Sequence, residues 1–260
     1  MHYSNLERWN VQVLTNIKNN GLKQTGYTNI ALFGLDSRGK SLGKGNRTDT
    51  IMVASINNET KKVKLISVYR DTMLKQNGEH YDKANAAYSV GGPETAVNML
   101  NENLDLDIQD YVSVNFLALA DVIDMVDGIT VKMTDEEVVH MNNYCVETSK
   151  VTGKKYKKIE PAVAGTYKLN GVQAVSYARI RYTAGGDYKR TERQRLVLEK
   201  TANKLKKQNL ATINKIIDKV MPEVSTSFST KEILALAMGI VFPGWCHPIY
   251  IGKASMAFCK

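Results

Sequence analysis

A nearly unbroken apolar run, residues 29–35 (NIALFGL), ends abruptly at Asp36 and constrains the fold more than any other stretch of the chain. Such a run is typical of a strand at the centre of a sheet, buried on both faces. Two β-branched segments follow at 50–56 and 63–69, and the turn sequence at 57–60 (NNET) between them predicts a β-hairpin. Together the three strands predict the middle of one sheet.

Helices and further strands are predicted after the hairpin. Pro93 opens the first of these helices, and Gly128 closes the second. The predicted helices are 93–103, 117–126, 135–141, 169–178, 188–208, 211–220 and 231–240. Short strands are predicted at 111–114 and 129–133, and 150–161 is predicted to be a basic insertion without regular structure. This alternation predicts a single α/β domain in which helices cover both faces of a central mixed β-sheet. A hydrophobic content of 43% over 260 residues is enough for one substantial core.

The cysteines and histidines exclude several kinds of site. Four histidines and three cysteines (Cys145, Cys246 and Cys259) fall in no zinc-ligand spacing, and no Gly-x-Ser-x-Gly sequence marks a serine hydrolase. A Cys246–Cys259 disulfide, which an oxidising compartment would allow, and free buried thiols both stay open.

Membrane-spanning segments are not predicted. No stretch reaches the roughly 18 apolar residues that a spanning helix requires. Residues 233–245 come nearest, but they contain Pro243 and are predicted to form a buried or interfacial helix. The chain opens on polar residues and not on a signal peptide. A cytoplasmic protein and the part of a protein that follows a membrane anchor are both compatible with this opening.

Charged residues are predicted to meet at one edge of the sheet. Asp36 ends the first strand, Asp49 begins the second, and the hairpin returns Arg70 to the same edge. Ligands of α/β folds commonly bind at such an edge. Two carboxylates, combined with phosphate oxygens and water, are ligands that Mg²⁺ prefers. The alternatives are that Asp36 caps a turn, that Asp49 pairs with Arg47, and that Arg70 forms a weak surface salt bridge with Asp71.

The densest positive charge lies in residues 179–207, which hold ten Lys/Arg against three Asp/Glu in a chain of net charge +9. This excess predicts an acidic partner: phosphate groups, anionic lipid or nucleic acid. Arg179 and Arg181 are predicted to lie in an extended segment and to project to one side. Because a planar guanidinium binds two phosphate oxygens at once, these arginines favour a phosphate site.

A Gly-Gly turn at 185–186 and a helix N-terminus follow the two arginines. Asp187 or Thr191 is the predicted N-cap of this helix. The free N–H groups of a helix N-terminus attract anions. Arg190 and Gln194, four residues apart, are predicted to share the helix face near that end.

The alternative interpretation of the same helix is a solvated basic surface. We adopt it for four lysines of the second half: Lys200, Lys204, Lys206 and Lys207. Binding of nucleic acid, with an affinity that falls steeply with salt, would also use a basic helix. It is not favoured, because only Tyr182 and Tyr188 supply rings for base stacking in this window.

Five blocks of the sequence resemble, in order, those of the LytR-CpsA-Psr family. They are 30–36, 47–50, 67–72, 82–88 with the glycine pair at 91–92, and 169–194. The likeness extends from about residue 28 to residue 207, and the ordered set is far more specific than any single block. The segment after about residue 228 matches nothing in the family.

The resemblance implies an enzyme anchored at the cell membrane, on its extracellular face, and a family-like α/β fold. Residues 1–24 would be a juxtamembrane helix or tail after an absent N-terminal anchor, and 25–260 the catalytic domain, with a C-terminal extension from about residue 228. Such enzymes are phosphotransferases that move a glycopolymer, such as teichoic acid or capsule, from an undecaprenyl-pyrophosphate carrier to peptidoglycan. A non-catalytic binder or sensor of polyprenyl pyrophosphate lipids is the alternative.

The resemblance also implies roles for individual residues. Asp36 and Asp49 match the aspartates associated with Mg²⁺, for which Mn²⁺ is a substitute. The residues that match pyrophosphate-binding positions are Arg70, Lys83, Arg179, Arg181, Arg190 and Gln194. Of these, Arg70, Arg179 and Arg181 are expected to act in catalysis together with the two aspartates. The expected partners are a polyprenyl phosphate or pyrophosphate lipid and a peptidoglycan acceptor, and nucleic acid is not among them.

Overall fold

The computed structural model describes residues 10–18, 25–37, 42–76, 78, 80–229, 232–233 and 249–251. The chain forms two compact units, one of Met1–Val114 with Val224–Lys260 and the other of Asn115–Glu223. In chain order the elements are β1 (Asn10–Val11), β2 (Tyr27–Leu35), β3 (Thr48–Asn57), β4 (Val63–Val68), β5 (Met73–Gln76), β6 (His80–Lys83), α1 (Ala84–Leu104), β7 (Asp110–Val114), α2 (Phe116–Met125), β8 (Ile129–Met133), α3 (Asp135–Thr152), β9 (Gly165–Leu169), α4 (Gly171–Arg179), α5 (Gly186–Leu205), α6 (Leu210–Val220), β10 (Val224–Thr226) and β11 (Ile249–Ile251).

The first unit contains the central sheet. Its seven described strands have the order β1-β10-β7-β2-β3-β4-β11. β2 is antiparallel to β3 and parallel to β7, so the sheet is mixed, as predicted. The apolar run forms β2 near the middle, where Ala31, Phe33 and Leu35 are buried. The predicted hairpin is confirmed: β3 and β4 are antiparallel, and the Asn57 side chain accepts from the N–H of Glu59.

Helix α1 is longer than the predicted helix. Pro93 does open a helical stretch, but Ala84–Leu104 continues across a kink at Gly92, whose φ is +72°. The residues before the kink include two fully buried side chains, Ala87 and Tyr88. The Tyr88 hydroxyl donates to the carbonyl of Leu42, 2.7 Å away. A second small sheet, β5–β6, precedes this helix and was not predicted.

The second unit has five of the six described helices and the antiparallel pair β8–β9. Helices α2, α4, α5 and α6 confirm the predicted ones to within about three residues. Helix α4 starts at Gly171, where an added Cβ would lie 2.2 Å from the Ala120 carbonyl oxygen of α2. The absence of a side chain therefore lets α4 approach the backbone of α2. A 3₁₀ turn, Met221–Glu223, follows α6 at Pro222.

Helix α3 corrects two predictions. It runs over Asp135–Thr152, so the predicted helix 135–141 was too short and the start of the predicted insertion at 150–161 is helical. A capping box of Thr134 and Glu137 begins the helix. Polar Asn142 and Thr148 lie on its buried face beside apolar residues. These polar positions interrupt the apolar pattern, and they explain why the pattern ends too early.

Some predictions fall on residues outside the described ranges. They are most of the helix 231–240, most of 233–245, both Cys246 and Cys259, and the ends of the segment 1–24. Residues 10–18, within that last segment, form β1 and irregular structure and not a helix. In the portion of the chain that is described, no helix has the length and apolar character needed to span a bilayer.

Candidate functional site

Asp49 lies at a β-bulge between the two central strands. Gly34 pairs with Thr50 and Leu35 pairs with Thr48, so Asp49 is the extra residue of β3. A bulge changes the direction of a side chain and is common beside functional sites. Asp36 follows β2 directly, and its N–H donates to the carbonyl of Arg47 at 3.1 Å. The predicted return of the chain to this edge of the sheet is confirmed.

Arg70 joins the same edge through Asp49. Its guanidinium Nη1 donates to the Asp49 carboxylate, and both side chains are largely buried, with 17% and 13% exposed. The predicted alternative of an Arg70–Asp71 pair is also present, at 3.5 Å from Nε. Asp71 in turn lies 3.0 Å from Lys83 Nζ. The structure thus brings Asp49, Arg70 and Lys83 together, with Asp71 between the two cations.

The possible metal ligands at this edge are oxygen atoms. Over the described part of the chain, no three His, Cys, Asp or Glu side chains form a group that could hold a metal. Asp36 and Asp49 supply only carboxylates, which suits Mg²⁺, because that ion takes a few protein oxygens and completes its shell with phosphate and water. The buried Thr48 hydroxyl next to Asp49 has no hydrogen-bond partner among the described residues. These hard oxygen atoms are of the type that Mg²⁺ prefers.

Arg179 occupies the end of α4 and is held on several sides. Its guanidinium donates to Thr148 at 3.0 Å and to Glu147 at 2.9 Å. It also lies over the rings of Phe116 and Tyr144, at 4.5 and 5.5 Å from their centroids. The prediction that Arg179 lies in an extended segment was wrong. The capping box of Asn170 and Gln173 sets the start of α4, and Arg179 is its last helical residue.

Three of the predicted arginines act electrostatically on one tyrosine. The Tyr144 side chain interacts electrostatically with Arg181, Arg179 and Arg190. Burial raises the pKa of the Tyr144 hydroxyl above its usual value, Tyr182 raises it further, and the three guanidinium groups oppose this rise. Of these three predicted phosphate-binding cations, Arg179 lies against the partly buried ring, 5.5 Å from its centroid. No sequence motif marked Tyr144.

The N-terminal half of helix α5 is not a solvated basic surface, which was the alternative interpretation of this helix. Its N-cap is Gly185, with a φ of +93° that favours glycine, so the predictions of Asp187 and Thr191 were wrong. Arg190 and Gln194 are buried, with only 3% and 8% exposed. Arg190 also lies 3.8 Å from Asp187. Buried guanidinium groups need anionic or hydrogen-bonding partners, so these side chains are held by groups of the fold and not by solvent.

Two acidic residues on α3 pair with arginines and were not predicted from the sequence. Glu147 pairs with Arg179, and Glu137 pairs with the buried Arg193 at 2.9 Å. Glu137, Tyr144 and Glu147 are spaced by seven and three residues, which places them on neighbouring parts of one helix face. The Thr134–Glu137 capping box could have revealed the start of the helix. Its arginine partners, however, are distant in the sequence and follow only from the fold.

Comparison with known proteins defines the class to which this fold and these residues belong. The LytR_cpsA_psr family model matches residues 2–241. The chain belongs to the LytR-CpsA-Psr family.

Two curated relatives illustrate the range of names in the family. Biofilm regulatory protein A of Streptococcus mutans is 33% identical over 210 residues, which are 76% of this chain and 49% of that protein. The polyisoprenyl-teichoic acid–peptidoglycan teichoic acid transferase TagU of Enterococcus faecalis is 31% identical over 212 residues, 80% of this chain and 64% of that protein. The chain thus spans about half to two thirds of the length of these relatives.

A solved structure confirms the fold. The LytR-CPS2A-psr family protein YwtF (TagT) with bound octaprenyl pyrophosphate lipid has a TM-score of 0.63 and 22% identity, covering 94% of this chain and 83% of that one. The match includes residues of both units, which confirms the predicted single α/β fold with a mixed central sheet.

Proposed function

We propose that the chain is the catalytic part of a phosphotransferase that moves a glycopolymer from a polyprenyl-pyrophosphate carrier to peptidoglycan, at the extracellular face of the cell membrane. Its membership of the family supports this, as do the name of the transferase TagU and the lipid bound to TagT. The observation that carries the proposal is the fixed position of the Arg179 guanidinium over the rings of Phe116 and Tyr144.

The arginines have the chemistry that a pyrophosphate requires. Arg179 is fixed by two hydrogen bonds and two aromatic rings, so little side-chain freedom is lost when it binds an anion. Its partner Glu147 is 44% exposed and can be exchanged for a phosphate oxygen. Arg181, Arg190 and Gln194 would supply further donors. Phosphoryl transfer depends mostly on such positioning and charge neutralisation, so no covalent nucleophile is needed.

In the first unit, the residues at the sheet edge have the chemistry to bind a metal ion and phosphate. Asp36 and Asp49 would hold Mg²⁺ or Mn²⁺, which would neutralise negative charge on the pyrophosphate. Arg70 and Lys83 would bind phosphate oxygens directly. Because Arg70 already donates to Asp49, it also fixes that carboxylate. A sugar hydroxyl of peptidoglycan would attack the phosphorus on the sugar side, and polyprenyl phosphate would leave.

The test is a transfer assay with a lipid-pyrophosphate saccharide, a peptidoglycan acceptor and Mg²⁺, in which released polyprenyl phosphate is measured. Arg179→Ala and Arg181→Ala should each reduce turnover by roughly 100-fold or more, the scale seen when a stabilising donor is removed. Lys200→Ala, at an exposed position of α5, is the matched charge control and should have no effect. Unchanged turnover in both arginine variants would exclude these roles.

A second outcome distinguishes the alternative function. The Streptococcus mutans relative has a regulatory name and not the name of a transferase. The alternative for this chain is a protein that binds the lipid without transferring its glycan. Tight binding of polyprenyl pyrophosphate, combined with no transfer to any of several acceptors, would support this binder and contradict the transferase.

A further inference from the structure

The segment between α4 and α5 carries Arg181 but is irregular. It consists of residues 180–185, between the last residue of α4 and the first of α5. A turn bond from the N–H of Gly186 to the carbonyl of Thr183, 3.0 Å long, closes its far end. Tyr182 within it is 73% exposed. An arginine on such a segment can be placed accurately only if other groups hold the segment on both sides of it.

Arg193 supplies contacts on both sides of Arg181. Its Nη1 donates to the carbonyl of Ile180 at 3.2 Å, and its Nη2 donates to the hydroxyl of Thr183 at 2.6 Å. The third nitrogen, Nε, donates to Glu137 at 2.9 Å. Arg193 itself is 4% exposed. All three guanidinium nitrogens are therefore used inside the protein, and two of them hold the residues that flank Arg181 and Tyr182.

Glu137 fixes the guanidinium in turn. One carboxylate oxygen accepts from Arg193, and the other accepts from the N–H of Thr134 at 3.0 Å, where it completes the capping box of α3. The ring of Tyr177 lies 5.8 Å from the Arg193 guanidinium. Burial, followed by the charge of Glu137, raises the pKa of the Tyr177 hydroxyl to about 12, so the hydroxyl stays neutral beside the pair. The start of α3 is thus linked through Arg193 to the segment that carries Arg181.

We propose that Arg193 is a positioning residue: it holds segment 180–183 so that Arg181 is presented to the phosphate groups of the substrate, and it does not contact the substrate itself. This inference rests on the proposed function for the identity of the substrate. The contacts by which Arg193 holds segment 180–183 do not depend on the proposed function.

A lysine at position 193 separates charge from geometry. The ammonium of Arg193→Lys can keep an ion pair with Glu137, but it cannot reach three acceptors in the planar arrangement of a guanidinium. Glu137→Gln keeps the shape of the side chain and removes the charge that orients Arg193. Both changes are conservative, so at least one variant is expected to remain folded. Lys154→Met disrupts a different ion network of the same unit and is the control for a general loss of stability.

Two measurements test the proposal. Hydrogen exchange of peptides that cover 180–186 should become roughly 10-fold faster in Arg193→Lys and Glu137→Gln, as expected when local opening becomes easier, and should not change in Lys154→Met. Affinity for polyprenyl pyrophosphate in detergent should fall by roughly 10- to 100-fold in the first two variants only. Arg181→Ala should also lower this affinity, and adding Arg193→Lys to it should cause no further loss, because Arg193 is proposed to act through the Arg181 side chain.

The outcomes are distinct. Unchanged exchange in segment 180–186, or unchanged affinity in Arg193→Lys, would overturn the positioning role. A similar loss of affinity in Lys154→Met would also overturn it, since the effect would then be one of stability alone. If the unaltered protein does not bind polyprenyl pyrophosphate, the proposed function fails, and the exchange comparison still decides whether Arg193 holds the segment.

Discussion

Replacement of Lys154 by Met should destabilise the second unit by leaving a buried carboxylate without its main counter-charge. Lys154 Nζ lies 2.5 Å from Asp121 and 2.6 Å from Asp124, and the Asp121 side chain is only 6% exposed. Asp124 also accepts from the N–H of Gly171 at the start of α4. Burial by itself lowers the pKa of Lys154, but the hydrogen bonds and charges of the two aspartates raise it overall. The ammonium is therefore the form that the fold requires.

The size of the effect follows from the burial of Asp121. Removal of one partner of a buried ion pair costs about 3–5 kcal/mol. The ammonium of Lys219 remains 3.4 Å from the other oxygen of Asp121, and Lys154 is itself 24% exposed, so the lower end applies. A loss of about 3 kcal/mol lowers Tm by roughly 6–12 °C in a chain of this size.

Urea unfolding followed by circular dichroism measures this free energy. Asp121→Asn combined with Lys154→Met should be less destabilising than the sum of the single changes, because the buried charge is removed along with its partner. Lys168→Met is the matched control, since Lys168 pairs with Asp127 on the surface and should contribute little. The reasoning would be refuted if Lys154→Met were no more destabilising than Lys168→Met, or if the two changes at 121 and 154 were simply additive.

Two further predictions concern packing and thiol chemistry. Gly171→Ala should lower the free energy of unfolding by roughly 1–3 kcal/mol, because the new Cβ meets the backbone of Ala120. Gly43→Ala is the control and should leave this free energy unchanged, because no atom lies within 4 Å of its new Cβ. Equal free energies of unfolding for the two variants would contradict this reasoning. Burial raises the pKa of Cys145 from 9.0 to about 11, so the fold disfavours the thiolate and loses stability as the pH rises through 9 towards 11. At pH 9, iodoacetamide should label Cys145 far more slowly in the native protein than in urea, as measured by mass spectrometry of the peptide that contains Cys145. Equal labelling rates in the two conditions would contradict the burial of this thiol.

The sequence patterns were most reliable where one physical signal dominated. The apolar run 29–35 had to be a central strand because a strand with no polar face must be buried on both sides. Gly128 marked the end of α2, whereas Pro93 marked only the stretch of α1 that follows the kink at Gly92 and not the start of this helix at Ala84. Helix α3 was predicted too short because Asn142 and Thr148, both polar, are buried in it. Their hydrogen bonds to groups elsewhere in the fold make this burial favourable, and no local pattern reports such partners.

The sequence by itself determined that Asp36, Asp49 and Arg70 would meet at one sheet edge, since a hairpin fixes where its ends return. It also determined which residue types were available to bind phosphate, because guanidinium groups were concentrated in one window. Only the tertiary structure decided how each arginine of that window is used. Arg179 ends a helix between two rings, Arg193 binds Glu137 and segment 180–183, and the acidic partners of both arginines lie on α3. Side-chain burial and pairing depend on groups that are distant in the chain, and these come together only when the helices pack.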